Sequence, residues 1–313
     1  DIELTDYTAC DFSGSFDGND KKVTIINGTT GLFGTLSSTA NVKDLTVAGS
    51  VTRTAENTGA IAHYNSGNIT NCVNEATVSG GTYTGGIAGY SNDGTIYGCV
   101  NNADITISTG HRVGGIVGQQ VTPSAIINCI NKGDILPISG RNYVGGIAGV
   151  STGSISLTIN TGKVAGDKIV GGIAGDYNSN ELDRCYNIGE VSGSEKVGGL
   201  VGEIAGSGRT VINCYNTGNV ISTSKTAGGL AGVMVSVLTD ASNVHFTNSY
   251  NIGSVIIEGS DVTSLYYVYH SCDKTESVAP SVKDCYYNKE ELKNSATFTG
   301  TTWDFDTVWD LDV

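Results

Sequence analysis

Cys129-Ile-Asn-Lys-Gly-Asp-Ile135, followed ten residues later by Gly145-Gly-Ile-Ala-Gly149, decides the fold. In the first segment Cys129, Gly133 and Ile135 are small or apolar and share one parity with Asn131. Ile130, Lys132 and Asp134 hold the other parity. Alternation of this kind marks a strand with one buried face. The same seven positions read Cys185-Tyr-Asn-Ile-Gly-Glu-Val191 and Cys214-Tyr-Asn-Thr-Gly-Asn-Val220. An apolar residue stands three before the cysteine (Ile96, Ile126, Ile155, Leu182, Val211), which breaks the parity and predicts a corner or bulge. The Gly-Gly-Ile-Ala-Gly segment is too short and too glycine-rich for a helix. It reads as a second short strand with its Ile inward.

The pattern recurs seven times at a period of about 26–36 residues. Cys72, Cys99, Cys129, Thr158, Cys185, Cys214 and Ser249 hold its first position, with a degenerate eighth copy at Cys285. Two residues on stand Asn74, Asn101, Asn131, Asn160, Asn187, Asn216 and Asn251. A fixed period of this length signals a solenoid, in which no single repeat buries its own faces but stacked repeats share a core. The expected fold is all-β, a parallel β-helix (β-solenoid) with capped ends. Residues 1–58 are expected to form the N-terminal cap and first coils, 59–260 the regular array, and 261–313 an irregular end sealed by Trp303, Phe305 and Trp309. Stacking sets equivalent side chains about 4.8 Å apart, giving ladders of Cys, Asn and Ile/Val. A buried Asn is costly unless hydrogen-bonded, and a ladder lets each amide bond the next.

These residues resemble the GLUG-motif repeats of bacterial surface proteins. Phe12-Ser-Gly-Ser-Phe-Asp-Gly-Asn19 with Val23-Thr-Ile-Ile26 looks like that family's opening. Gly31-Leu-Phe-Gly34 and Val42-Lys-Asp-Leu-Thr-Val47 look like its first repeat, and Trp303-Asp-Phe-Asp-Thr-Val-Trp309 like its closing segment. The resemblance implies an extracellular, β-helical region of a larger secreted or cell-surface protein. Similar repeats occur in adhesin-like proteins and beside the metalloprotease domain of immunoglobulin A1-cleaving enzymes. It implies no defined ligand.

The 313 residues include 44 Gly, 3 Pro and 8 Cys, with a net charge of −14. An acidic body repels phosphate backbones, which argues against nucleic acid as a partner. No apolar run is long enough to span a bilayer, so no membrane insertion is expected. The chain opens at Asp1-Ile2-Glu3 with no basic and apolar leader, and flanking domains of a longer protein are expected.

Catalytic signatures are sparse. His63, His111, His245 and His270 never occur in His-Glu-x-x-His, and no nucleophile elbow or P-loop appears, so no catalytic residue, metal or cofactor is assigned. Asp104 and Asp134 fall on equivalent strand sites and could sit near 5 Å apart, as in a retaining carboxylate pair or a weak calcium site. Lys163 and Glu190 at the same site of later coils favour a solvated charged face. The ladder cysteines are expected as buried free thiols, with bridges Cys72–Cys99 or Cys185–Cys214 as the alternative. Cys10 and Cys272 lie off the ladder.

One position changes along the array. The residue after the ladder Cys is Val73, Val100, Ile130 and Ile159, then Tyr186, Tyr215, Tyr250 and Tyr286. It points outward by alternation, so the tyrosines form a candidate ligand-binding stripe for an extracellular glycan or protein. The competing reading has a long corner loop over this face with the Tyr packed beneath. Tyr266, Tyr267 and Tyr269 lie in an aberrant copy nearby. The functional expectation is an extracellular adhesin or spacer module. The alternatives are a carbohydrate-active β-helix enzyme, either lyase or hydrolase, and a non-catalytic arm of a secreted protease.

Overall fold

The computed structural model describes residues 1–107, 111–137, 143–206, 208–223, 226–235, 244–257 and 282–283. Tyr266, Tyr267, Tyr269, Cys272, Cys285, Tyr286 and the Trp303–Trp309 closing segment lie outside them. The described chain is a parallel β-solenoid with three faces. A wide sheet takes three short strands from each regular coil, for example Thr95–Tyr97, Val100–Asn101 and Ile105–Ile107. A seven-stranded sheet stacks Asn57–Gly59, Tyr83–Gly85 and Arg112–Gly114 through to Thr226–Gly228, and is called here the glycine sheet. A narrow nine-stranded sheet stacks Cys10–Phe12 through to Ala231–Val235. No helix of the described residues is long and apolar enough to cross a membrane.

The alternation of Cys129–Ile135 holds. Cys129, Asn131, Gly133 and Ile135 are buried, while Ile130, Lys132 and Asp134 face outward. The parity break before the cysteine is a corner. The residue just before each ladder position has a positive φ: Asn71 (51°), Gly98 (64°), Asn128 (54°), Leu157 (56°), Arg184 (49°), Asn213 (53°) and Asn248 (47°). One left-handed residue turns the chain and lets side chains three apart, such as Ile126 and Cys129, both point inward. Asn and Gly accept that conformation readily, while Leu157 and Arg184 adopt it under strain.

The Gly-Gly-Ile-Ala-Gly segment differs from the single short strand expected. Gly145 ends a strand of the glycine sheet, the chain bends at Gly146-Ile147, and Ala148 begins a strand of the narrow sheet. The segment is the corner between two sheets. Its Ile is inward as expected: Ile87, Ile116, Ile147 and Ile173 are fully buried.

Seven asparagines form one continuous ladder. Asn74 Nδ2 donates to Asn101 Oδ1, and the same bond runs on to Asn131, Asn160, Asn187, Asn216 and Asn251, each at 2.7 Å. These links span 27, 30, 29, 27, 29 and 35 residues, which are the coil lengths. The second amide hydrogen of each Asn goes to a carbonyl two residues on, such as Gly133 O or Gly162 O at 2.8 Å. Both donors and the acceptor of each interior amide are therefore used, which removes the penalty of burying it.

The ladder also explains the second glycine of each pair. A Cβ on Gly172 would lie 2.2 Å from Gly199 O and 2.3 Å from Asn187 Cγ. Gly86, Gly115, Gly146, Gly199 and Gly229 face the next Asn in the same way. Asn and Gly-Gly are two sides of one contact.

The first-position ladder is equally tight. Cys72, Cys99, Cys129, Thr158, Cys185, Cys214 and Ser249 are fully buried, and the described cysteines carry free thiols. Thr158 Oγ1 donates to Cys185 Sγ at 3.3 Å, so a hydroxyl or thiol of small size suits the site. Burial pushes the Cys99 and Cys214 thiols well up, which keeps them protonated and unreactive.

Two substitutions test this account by urea unfolding. Gly172→Ala forces a methyl into the ladder and is expected to lower stability by about 3 kcal/mol or more. Leu157→Asn relieves the strained corner and is expected to raise stability by about 0.5–1 kcal/mol.

Candidate functional site

The tyrosine stripe forms on the outer surface of the wide sheet. Tyr186, Tyr215 and Tyr250 pair in register along the parallel strands. Their rings stack at 4.6 Å and 5.2 Å between centroids, with interplanar angles of 5° and 6°. The spacing is that of the coils, so the stack follows from the fold without side-chain adjustment. Tyr186 and Tyr215 are half-buried, whereas Tyr250 is only 5% exposed. Burial pushes the Tyr215 and Tyr250 hydroxyls well up, so all three rings are neutral at physiological pH. Tyr286, expected as the fourth member, lies outside the described residues.

The outward carboxylates tie neighbouring coils together. Asp104 Oδ1 accepts from the Asp134 backbone N–H at 2.8 Å, and Asp134 Oδ1 accepts from the Lys163 N–H at 2.8 Å. Lys163 Nζ then meets Glu190 at 2.7 Å. Each side chain ties its coil to the next, and the site is a solvated charged face. No cluster of three or more His, Cys, Asp or Glu among the described residues has the geometry to hold a metal ion.

A second aromatic feature escaped the sequence reading. The outward residues of the glycine sheet and the narrow sheet meet across a crease at a separation of seven residues. Tyr83 packs edge-to-face on Tyr90 at 5.8 Å, Arg112 Nη1 donates to Gln119 Oε1, and Lys196 Nζ pairs with Glu203. Along the axis, Tyr64 stacks on Tyr90 at 5.0 Å and 10°. The Arg112 guanidinium lies between the Tyr83 and Tyr143 rings, 5.2 Å and 5.8 Å from their centroids. Such cation–π contacts are worth about 0.5–2 kcal/mol each. The signal was present in the sequence: in Tyr83-Thr-Gly-Gly-Ile-Ala-Gly-Tyr90 both flanking residues are outward. Only the bend between the sheets brings them together.

At its N-terminal end the crease opens into a cleft of about 610 Å³. Asp11, Thr35, Arg53, Glu56, Asn57, His63 and Tyr64 are among the residues that line it. The space exists because the repeat starts here. Thr35 pairs with Tyr64 on the narrow sheet and is much smaller, and Asn57–Gly59 is the first strand of the glycine sheet. His63 stands where later coils have Gly89 and Gly118, whose Cβ positions are blocked by the preceding coil's Thr58 and Thr84 backbone. With no such strand below it, His63 fits, and its Nε2 accepts from Gly31 N–H at 3.0 Å. Burial, together with Arg53, lowers its pKa to about 4, so it is neutral at physiological pH.

No family model matches this chain. No curated protein matches it either. A solved structure from Bacteroides ovatus, described as a putative immunoglobulin A1 protease, is similar at 20% identity and a TM-score of 0.37. The match covers 88% of this chain and 70% of that one. No statement about function follows from a likeness at this level.

Farther along the crease, Asp176 lies next to Glu203 in register on the narrow sheet. Burial, with the Glu203 charge second, raises its pKa to about 6. A carboxyl whose folded pKa is raised contributes stability at low pH and loses it as pH climbs through about 6. Asp176→Asn is therefore expected to stabilise the fold at pH 8 by about 1–3 kcal/mol and to change little near pH 4. Urea midpoints measured at both pH values check it.

Proposed function

We propose that this chain is an extracellular repeat module, an adhesin or spacer that presents a binding surface for a glycan or protein along a rigid β-solenoid. The observation that carries the reading is the stacked row Tyr186–Tyr215–Tyr250 on the outside of the wide sheet. An aromatic row combines apolar area with a polar edge, a combination that suits contact with a sugar ring or a protein partner. The nine-stranded sheet has eight gaps of about 4.8 Å, so the body is roughly 40 Å long. A ladder of this kind holds its surface at a fixed register. Tyr186 and Tyr215 are the accessible members, and Tyr250 anchors the end of the row.

The test is a screen of the purified chain against a glycan array and a set of matrix proteins. Tyr186→Ser and Tyr215→Ser together serve as the control, with circular dichroism to confirm the fold. Binding by the wild type that falls at least about tenfold in the double variant supports the reading. No binding to any ligand would leave a passive spacer, and binding unaffected by the variant would move the surface elsewhere.

A further inference from the structure

We infer that the cleft at the N-terminal end of the crease is a saccharide-binding subsite, taking a neutral pyranose ring on Tyr64. The inference deepens the extracellular binding reading and rests on it for the source of the sugar, but it uses a different face from the Tyr186 row.

Three observations point to this ligand. First, Tyr90 covers one side of the Tyr64 ring at 5.0 Å. The cleft lies toward the other side, because its remaining lining comes from the two preceding coils and from Tyr64's own. An aromatic face with one side packed and the other open to a cavity is a stacking platform for the C–H face of a sugar. Second, the lining is polar in both senses. Asp11 and Glu56 accept, and Arg53, whose Nε donates to Asn57 O at 3.2 Å, supplies a cation. A hydroxylated ring donates and accepts around its edge and answers both. Third, Asn57 Oδ1 is a buried side-chain oxygen without a hydrogen-bond partner among the described residues, and Asn57 lines this cleft. Orphaned acceptors are uncommon in folded chains, and one beside a cavity calls for a donor from outside.

The charges select among ligands. Asp11 and Glu56 at the cleft, on a chain of net charge −14, repel an anionic sugar or a phosphate. A neutral ring meets no such cost. The crease runs from the cleft past Tyr90, Tyr83, Arg112 and Tyr143, so further units of a chain would lie along these side chains.

The experiment is saturation-transfer NMR with the methyl glycosides of glucose, galactose, mannose and N-acetylglucosamine at millimolar concentration. That range suits a single stacked ring with a few hydrogen bonds. Transfer from the protein to ring C–H protons of at least one glycoside is expected. It should fall about tenfold in Tyr64→Ser and persist in Tyr64→Phe and in the Tyr186→Ser, Tyr215→Ser double variant. Ala55→Trp fills the cleft from an exposed position and should abolish transfer without touching the ladder, which keeps the test decisive if Tyr64→Ser fails to fold. Absence of transfer from wild type to all four glycosides overturns the inference, as does transfer unchanged in Ala55→Trp. Positive transfer with a silent array would retain the cleft and defeat the adhesin reading. A positive array with no transfer would do the reverse.

Discussion

The structure depends on one requirement: an amide buried in every coil must find both its donors and its acceptor inside the protein. The asparagine ladder meets it with 2.7 Å bonds from coil to coil. To do so it needs the facing chain to approach without side chains, and the second glycine of each pair provides that approach. It also needs the strand to arrive at a fixed angle, which the left-handed residue before each ladder cysteine sets. Ile and Val then fill what remains of the interior. A ladder of amides in an apolar core contributes little net energy over water, but it fixes register, because a one-residue slip would leave several amides unpaired at once.

Much of this was legible in the sequence. Cys129, Asn131, Gly133 and Ile135 share a parity, and period-2 alternation needs no tertiary information to interpret. The corner before each cysteine was also readable, since Ile126 and Cys129 cannot both face inward on one straight strand. The bend inside Gly145–Gly149 was not, because five residues are too few to separate one strand from the ends of two. Nor was the pairing of Gly172 with Asn187. Both recur with the same period, and periodicity says that two positions repeat without saying that they touch. The crease was hidden for the same reason: Tyr83 and Tyr90 read as residues of unrelated strands until the bend folds them together.

The two aromatic surfaces differ in kind. The Tyr186 row is the product of repetition, with one residue type in successive coils and the rings parallel by construction. The crease is the product of departures from repetition, where Tyr, Arg and Gln occupy equivalent sites and pair across two sheets. The cleft beside it arises where repetition begins, and His63 and Thr35 are the residues that later coils cannot or do not keep. In a solenoid, conformity builds the body and local exceptions create recesses.

The ladder has a polarity. Each amide from Asn74 to Asn216 donates toward the next coil, and Val47 stands where an asparagine before Asn74 would be, leaving Asn74 Oδ1 to accept from Ala76 N–H. The aligned amides add up like dipoles in a row, so the two ends of the column carry opposite partial charge. Val47 and Val23 stack in turn beneath Asn74, so the acceptor end of the column is closed inside the protein by apolar side chains, and no second molecule can extend it from that end.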